Sequence, residues 1–300
     1  MKKKTYLFAL MAMVLTLGSC SDNENGIGGE TSKYITVSTS IGNMTRVATD
    51  AKGGQTFEEG DEISVYAWTG APTVAPETSE RVVNNAINKL TNGSWISNPQ
   101  MLWKNNRDKH YFIGVYPISA ISDLSAGEYT FDETKQVESD LLVAVNPDGL
   151  SYSADAQQTV PLTFTHVMAK LVVNLTYKNQ WGGIPTVEKV VVGNAAKEAT
   201  INYLTKVVTP STTAKEDFSL PEITENTKYV SVIIPQEDVT QLTIVIGGKN
   251  FVYDNGTPFK LESGKITTVN LEVGRDEIKL GDVKITNWED GSTFSGEALN

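Results

Sequence analysis

Residues 35–41 read Ile-Thr-Val-Ser-Thr-Ser-Ile, with Ile35, Val37, Thr39 and Ile41 alternating with polar Thr36, Ser38 and Ser40. Successive side chains of an extended chain point to opposite faces, so this period of two marks a half-buried β-strand. The same extended, apolar-rich pattern recurs at 62–68, 111–116, 140–145, 167–177, 189–192, 229–234, 242–246, 251–253 and 266–273. Within it, Leu242, Ile244 and Ile246 run into Gly247-Gly248, with Phe251 and Tyr253 beyond, the composition of a hairpin on a two-residue turn. Only residues 80–90 read as a helix, through Val83, Ala86, Ile87 and Leu90. Many short strands punctuated by Gly, Pro and Asn argue for an all-β chain made of β-sandwiches.

A chain of 300 residues is long for one sandwich and suggests two domains. The expected break is the polar stretch 151–159 (SYSADAQQT), giving an N-terminal unit at 33–157 and a C-terminal unit at 158–300. The formal net charge is -11, with 40% hydrophobic and 20% charged residues. Such a chain repels nucleic-acid phosphates, and it holds no basic patch interleaved with aromatics, so no nucleic-acid partner is expected. This much apolar residue also excludes a disordered acidic tail.

The first twenty residues have a different logic. Lys2, Lys3 and Lys4 precede an apolar run from Tyr6 to Leu17, then Gly18-Ser19-Cys20. A basic start, a short apolar core and small residues describe a secretory leader over 1–19, too short to span a bilayer as a helix. Cys20 is the single cysteine, which leaves it no intrachain disulfide. Its setting resembles the lipobox of bacterial lipoproteins, which implies lipidation at Cys20 and a partner in the outer-membrane lipid. Residues 20–32 are polar and glycine-rich, read as a flexible tether. Asp22 and Glu24 beside the cysteine resemble the surface-export signals of some Bacteroidetes lipoproteins.

Several short motifs follow in a fixed order. They are Thr45-Arg46, Phe57-x-x-Gly60-Asp61-x-Ile63-x-Val65-Tyr66-Ala67, Tyr111 to Pro117 (YFIGVYP) and Asp140-Leu141-Leu142-Val143-Ala144. Pro161 to Leu171 (PLTFTHVMAKL), Leu261-x-x-Gly264-Lys265-x-Thr267-x-x-Asn270-Leu271-x-Val273 and Ile285-Thr286-Asn287-Trp288 complete the series. Together they resemble the fimbrillin-like (Mfa-like, type V pilus subunit) lipoproteins of Bacteroidetes. The resemblance implies two tandem transthyretin-like Greek-key β-sandwich domains, a place at the outer membrane or cell surface, and other pilus subunits as partners. It also implies maturation by an arginine-specific protease between the first strand and the rest, for which Arg46-Val47 is the matching point. The displaced first strand would carry Ile35, Val37 and Ile41, each worth roughly 1.5–3 kcal/mol when buried. Another subunit would fill the vacated slot by donor-strand exchange, a form of β-strand addition. An extended segment with alternate apolar residues fits the donor, and 277–286 (EIKLGDVKIT) offers Ile278 and Leu280, then Val283 and Ile285. Its register slips by one at Gly281-Asp282, which predicts a bulge or two short strands. The plainer reading of the segment is the last strand of the second domain. Anchor and tip subunits of the same family terminate a polymer instead of extending it.

Catalytic and metal chemistry find little support. His110 and His166 are the two histidines, expected in different strands and domains, and no His/Cys zinc spacing exists. His166 reads as a hydrogen-bonded structural residue. Asn146-Pro147-Asp148-Gly149 reads as a turn, without the acidic spacing of a calcium loop. Glu58-Glu59 and Glu289-Asp290 are adjacent pairs in expected turns, and no nucleophile elbow, P-loop or dinucleotide fingerprint occurs. No cofactor, no metal and no enzyme activity are expected. Trp68, Trp95, Trp103 and Trp181 could offer sugar-stacking faces. They keep a second reading open, a non-polymerising surface lipoprotein that binds a glycan or host protein.

Overall fold

The computed structural model describes residues 33–42, 57–153, 158–254 and 256–288. Nineteen strands occur among them. The first eight are β1 (Thr36–Ile41), β2 (Glu62–Thr69), β3 (Val83–Thr91), β4 (Ser94–Asn98), β5 (His110–Tyr116), β6 (Gly127–Thr130), β7 (Leu142–Leu150) and β8 (Thr159–His166). Next come β9 (Ala169–Tyr177), β10 (Val187–Ala196), β11 (Glu198–Asn202), β12 (Val207–Pro210), β13 (Lys215–Leu220) and β14 (Glu222–Thr224). The last are β15 (Lys228–Ile233), β16 (Gln241–Ile246), β17 (Lys249–Asp254), β18 (Lys265–Val273) and β19 (Ile278–Asn287). The chain is all-β, as its alternation requires.

Seven strands form one sheet in the order β1-β8-β7-β5-β2-β3-β4. The others form sheets ordered β12-β11-β6, β13-β10-β16-β17 and β14-β15-β9-β18-β19. Two pairings are parallel, β1 with β8 and β9 with β18. One face of the seven-stranded sheet packs on itself through residues such as Val37, Ile63, Val65, Phe112, Leu162 and Phe164. Its other face joins the larger core through Tyr66, Trp68, Ile113 and Val143. The predicted hairpin is β16–β17, where Gly247 and Gly248 take φ of 58° and 71°. Both central positions of such a turn need positive φ, which glycine adopts without steric cost.

Three expectations change. Residues 80–90 do not form the expected helix: Glu80 ends a single 3-10 turn (Thr78–Glu80), and β3 runs from Val83. The pairing Val65↔Ala86 followed by Ala67↔Val83 shows one extra residue on β3, with Asn85 at φ 54°. That bulge turns both Val83 and Ala86 inward although they lie three apart, which mimics helical spacing. Residues 146–149 do not end a strand; they are a bulged part of β7, with Gly149 at φ 64° and its N–H bonded to Asn146 Oδ1 at 3.0 Å. Finally, the break placed at 157/158 falls ahead of β8, yet β8 is hydrogen-bonded between β1 and β7 in the first sheet. The chain changes sheet between His166 and Ala169 instead.

Candidate functional site

The seven-stranded sheet curls until its two edges, β1 and β4, face each other. Backbone bonds join only the segments that flank them at one end. The Ile35 N–H donates to the Met101 carbonyl at 2.9 Å and the Trp103 N–H to the Lys33 carbonyl at 3.2 Å. Farther along, the Trp95 indole N–H donates to Thr39 Oγ1 at 3.0 Å, across a cavity of about 680 Å³ lined by β1, Leu90, Trp95 and Phe57. Closure on this side thus depends on one side-chain bond where a continuous ladder would otherwise run.

Strand β1 is held firmly on its other side. Its register with β8 runs from Thr36↔Thr159 to Ile41↔Phe164, and the Gly42 N–H extends it to the Phe164 carbonyl at 2.7 Å. Outward hydroxyls pair as well, Thr36 with Thr159 at 3.2 Å and Ser40 with Thr163 at 3.1 Å. Inward, Ile35, Val37 and Ile41 are 2%, 6% and 8% exposed. By area alone these three contribute roughly 5–9 kcal/mol. Phe57, where the described chain resumes, caps the same face, its ring 5.1 Å from Phe164, 5.3 Å from Trp95 and 5.3 Å from Tyr116. Between Gly42 and Phe57 lie residues 43–56, which hold Arg46 and Val47 and are outside the described residues, as is Cys20.

The segment 277–286 proves to be an edge strand. β19 pairs antiparallel with β18, and the register passes from Asn270↔Asp282 to Leu271↔Leu280, leaving Gly281 as the extra residue. This is the bulge expected from the slip in apolar spacing. A side chain on Gly281 would meet the Asn270 carbonyl at 3.2 Å. Leu280, Val283 and Ile285 are 37%, 40% and 38% exposed, and Ile278 is half-buried. Three of the four named donor residues therefore sit on the surface, in a strand bonded along one edge, while Ile278 packs against the larger core.

Between these elements lies a second cavity of about 400 Å³, reached by Ile41, Phe57, Asp61, Tyr116, His166 and Trp288. Here His166 Nδ1 lies 2.8 Å from Asp140 Oδ1, which makes it the hydrogen-bonded histidine the sequence suggested. Burial pushes the Lys170 ammonium down to about 8, partly offset by Asp140. Burial and the neighbouring Asp61 carboxylate push the Tyr116 phenol up to about 12. The grouping of Asp140, His166, Lys170 and Trp288 was invisible in the sequence, where they lie in three separate motifs.

The remaining candidates are structural. His110 lies in the same sheet as His166, not in a separate one, and burial pushes its imidazole below the usual range. Its Nε2 accepts the Lys104 N–H at 3.0 Å, and Nδ1 lies 3.1 Å from the Asp108 carbonyl. Glu59 accepts from the N–H groups of Asn92 and Gly93, at 2.8 and 2.6 Å, and so caps the β3–β4 turn. Glu289-Asp290 lies outside the described residues. Trp68 and Trp103 are buried in the cores, with no face left for a sugar. Trp181 is half-buried beneath the Arg275 guanidinium, 5.5 Å from the ring centroid. Among the described residues no group of three His, Cys, Asp or Glu could hold a metal.

Comparison with known proteins gives this arrangement a context. A family model described as fimbrillin-like matches residues 45–288. The chain belongs to the fimbrillin-like family. Among curated proteins nothing matches. A proposed cell adhesion protein of Bacteroides ovatus has the fimbrillin-like chain's fold at 18% identity and TM-score 0.62, over 85% of this chain and 98% of that one. A second, from Bacteroides uniformis, gives 18% identity and TM-score 0.61, over 78% and 93%. A fimbrial protein of Bacteroides vulgatus gives 12% and 0.52, over 84% and 99%. At such identities the likeness carries the fold alone.

Proposed function

We propose that this fimbrillin-like chain is a structural, non-catalytic subunit of a cell-surface fimbria, made as a lipoprotein precursor on Cys20. In this reading proteolysis after Arg46 frees residues 33–46 from everything that follows, and a segment from another subunit takes the place of β1. The transthyretin-like pair of sandwiches implied by the resemblance belongs to the same proposal. The observation that carries it is the state of β1. It is a well-buried strand at a sheet edge, parallel to β8, whose covalent link to the body runs only through the segment that contains Arg46-Val47.

Removal of β1 would unpair the outer edge of β8 and uncover an apolar trough between β8 and β4. Such a trough selects an extended segment with apolar residues at alternate positions. β19 meets that description, and its exposed Leu280, Val283 and Ile285 gain burial that they lack at home. The test is treatment of the purified full chain with an arginine-specific protease. The expected result is a product beginning at Val47 together with ladders that resist SDS. A clean product without ladders refutes assembly and favours the non-polymerising reading.

A further inference from the structure

Strand β19 contributes almost nothing to a core, yet the residue that follows it does. Trp288 is 5% exposed. Its ring lies flat on the His166 imidazole, centroids 4.1 Å apart and planes within 6°. Lys170 Nζ stands 5.2 Å from the indole centroid, and the Trp288 N–H donates to the Gly264 carbonyl at 3.0 Å. Asp140 Oδ1 holds the imidazole at its Nδ1 edge, 2.8 Å away. These partners come from four places: Asp140 lies just ahead of β7, His166 ends β8, Lys170 lies on β9 and Gly264 lies just ahead of β18. The indole therefore sits where the seven-stranded and five-stranded sheets meet.

The rest of this segment is held mainly at the surface. β19 has backbone bonds along one edge, side-chain bonds from Asn270 to Asp282 and from Lys265 to Asn287, the ion pair Lys178–Glu277 just before it, and Ile278 half-buried against the larger core. Exposed ladders with few buried contacts open first, whereas a buried indole removes a large apolar area from water. We infer that Trp288 is the latch that keeps β19 on its own subunit, with the His166–Lys170 slot as its keeper. Withdrawal of the indole, not fraying of the strand, then decides when β19 is available to a second copy of this chain. The wall of the same cavity includes Ile41, the last residue of β1. Departure of β1 takes part of that wall away, so loss of the first strand loosens the latch on the last. The anchoring stands on single-chain geometry; its use as a gate on donation rests on the fimbrial reading above.

Lys279 and Lys284 lie within β19, so native-state digestion by a lysine-specific protease reads its opening. The full chain is compared with Trp288→Ala and Trp288→Phe, with amide hydrogen exchange followed in β5 and β8. Trp288→Ala is expected to speed cleavage after Lys279 and Lys284 by roughly 100-fold, about 2.8 kcal/mol at tenfold per 1.4 kcal/mol. Trp288→Phe keeps a stacked ring and is expected to speed it less than about tenfold. Exchange in β5 and β8 stays as in the parent chain. Unchanged cleavage in Trp288→Ala overturns the latch, as does a loosening shared equally by β5 and β8. No arginine cleavage enters this measurement. An opened β19 without ladders would therefore fail the fimbrial reading alone, and ladders with an unaltered β19 would fail the latch alone.

Discussion

Strand β1 lies at one edge of the seven-stranded sheet and β19 at one edge of the five-stranded sheet. Both alternate apolar and polar residues, and both have a neighbour on one side only. In β1 the apolar residues are nearly sealed, while in β19 Leu280, Val283 and Ile285 remain more than a third exposed. The difference comes from what faces each strand across the sheet. β1 closes a curled sheet whose far edge, β4, lies opposite, so its inward side chains have a ready interior. β19 extends past its core and keeps Lys279, Asp282 and Lys284 along the strand, charges that discourage pairing with strangers. Alternation therefore specifies a strand, and the opposite layer decides whether its apolar face is spent or still available.

This contrast can be broken most directly by a charge placed on each strand. Val37→Asp buries a carboxylate without a partner and is expected to cost about 4 kcal/mol or more in urea unfolding. Val283→Asp on β19 is expected to stay within about 0.5 kcal/mol of the parent. Equal losses at the two positions would abolish the distinction.

A smaller effect sharpens the description of the junction. The Lys170 ammonium is held near 8 in the fold, well below its ordinary value, so the folded state binds fewer protons than the unfolded state above pH 8. The burial penalty is full below pH 8 and is relieved as pH rises, so stability contributed at this site should increase by about 2 kcal/mol between pH 8 and 10. Lys170→Met removes that slope, which urea midpoints of the two proteins across this range would reveal. Parallel midpoint curves would contradict it.

Thr39→Val deletes the acceptor for the Trp95 indole and should cost about 1 kcal/mol, read as a lowered urea midpoint with unchanged slope. A last small change is expected for Leu280→Ser with Ile285→Ser. Stability should fall by no more than about 1 kcal/mol for the pair, since both side chains are already substantially exposed. After arginine cleavage the same pair should suppress ladders, because a donor needs apolar side chains for the trough. Ladders of undiminished intensity would exclude β19 as the donor.

Much of this was legible in residues that answer to local rules. The β1 alternation, the Gly247-Gly248 turn and the Gly281 slip each follow from backbone geometry within a few residues. What failed were patterns set by distant partners. The bulge at Asn85 disguised β3 as a helix, because one inserted residue converts a period of two into a spacing of three. The membership of β8 in the first sheet was hidden because its neighbour β1 is 123 residues away and parallel, which no turn signal announces. His166 was recognised as a bonded core residue, but its stack on Trp288 bridges the two halves of the sequence and leaves no local trace.

The parallel alliance of β1 and β8 has a consequence for biogenesis. A polypeptide is made from its N-terminus, so Ile35 to Ile41 emerge early and their mate at 159–164 arrives more than a hundred residues later. Throughout that interval the apolar side of the ribbon has no berth, because the strand that seats it does not yet exist. In this molecule the occupant is made before its seat.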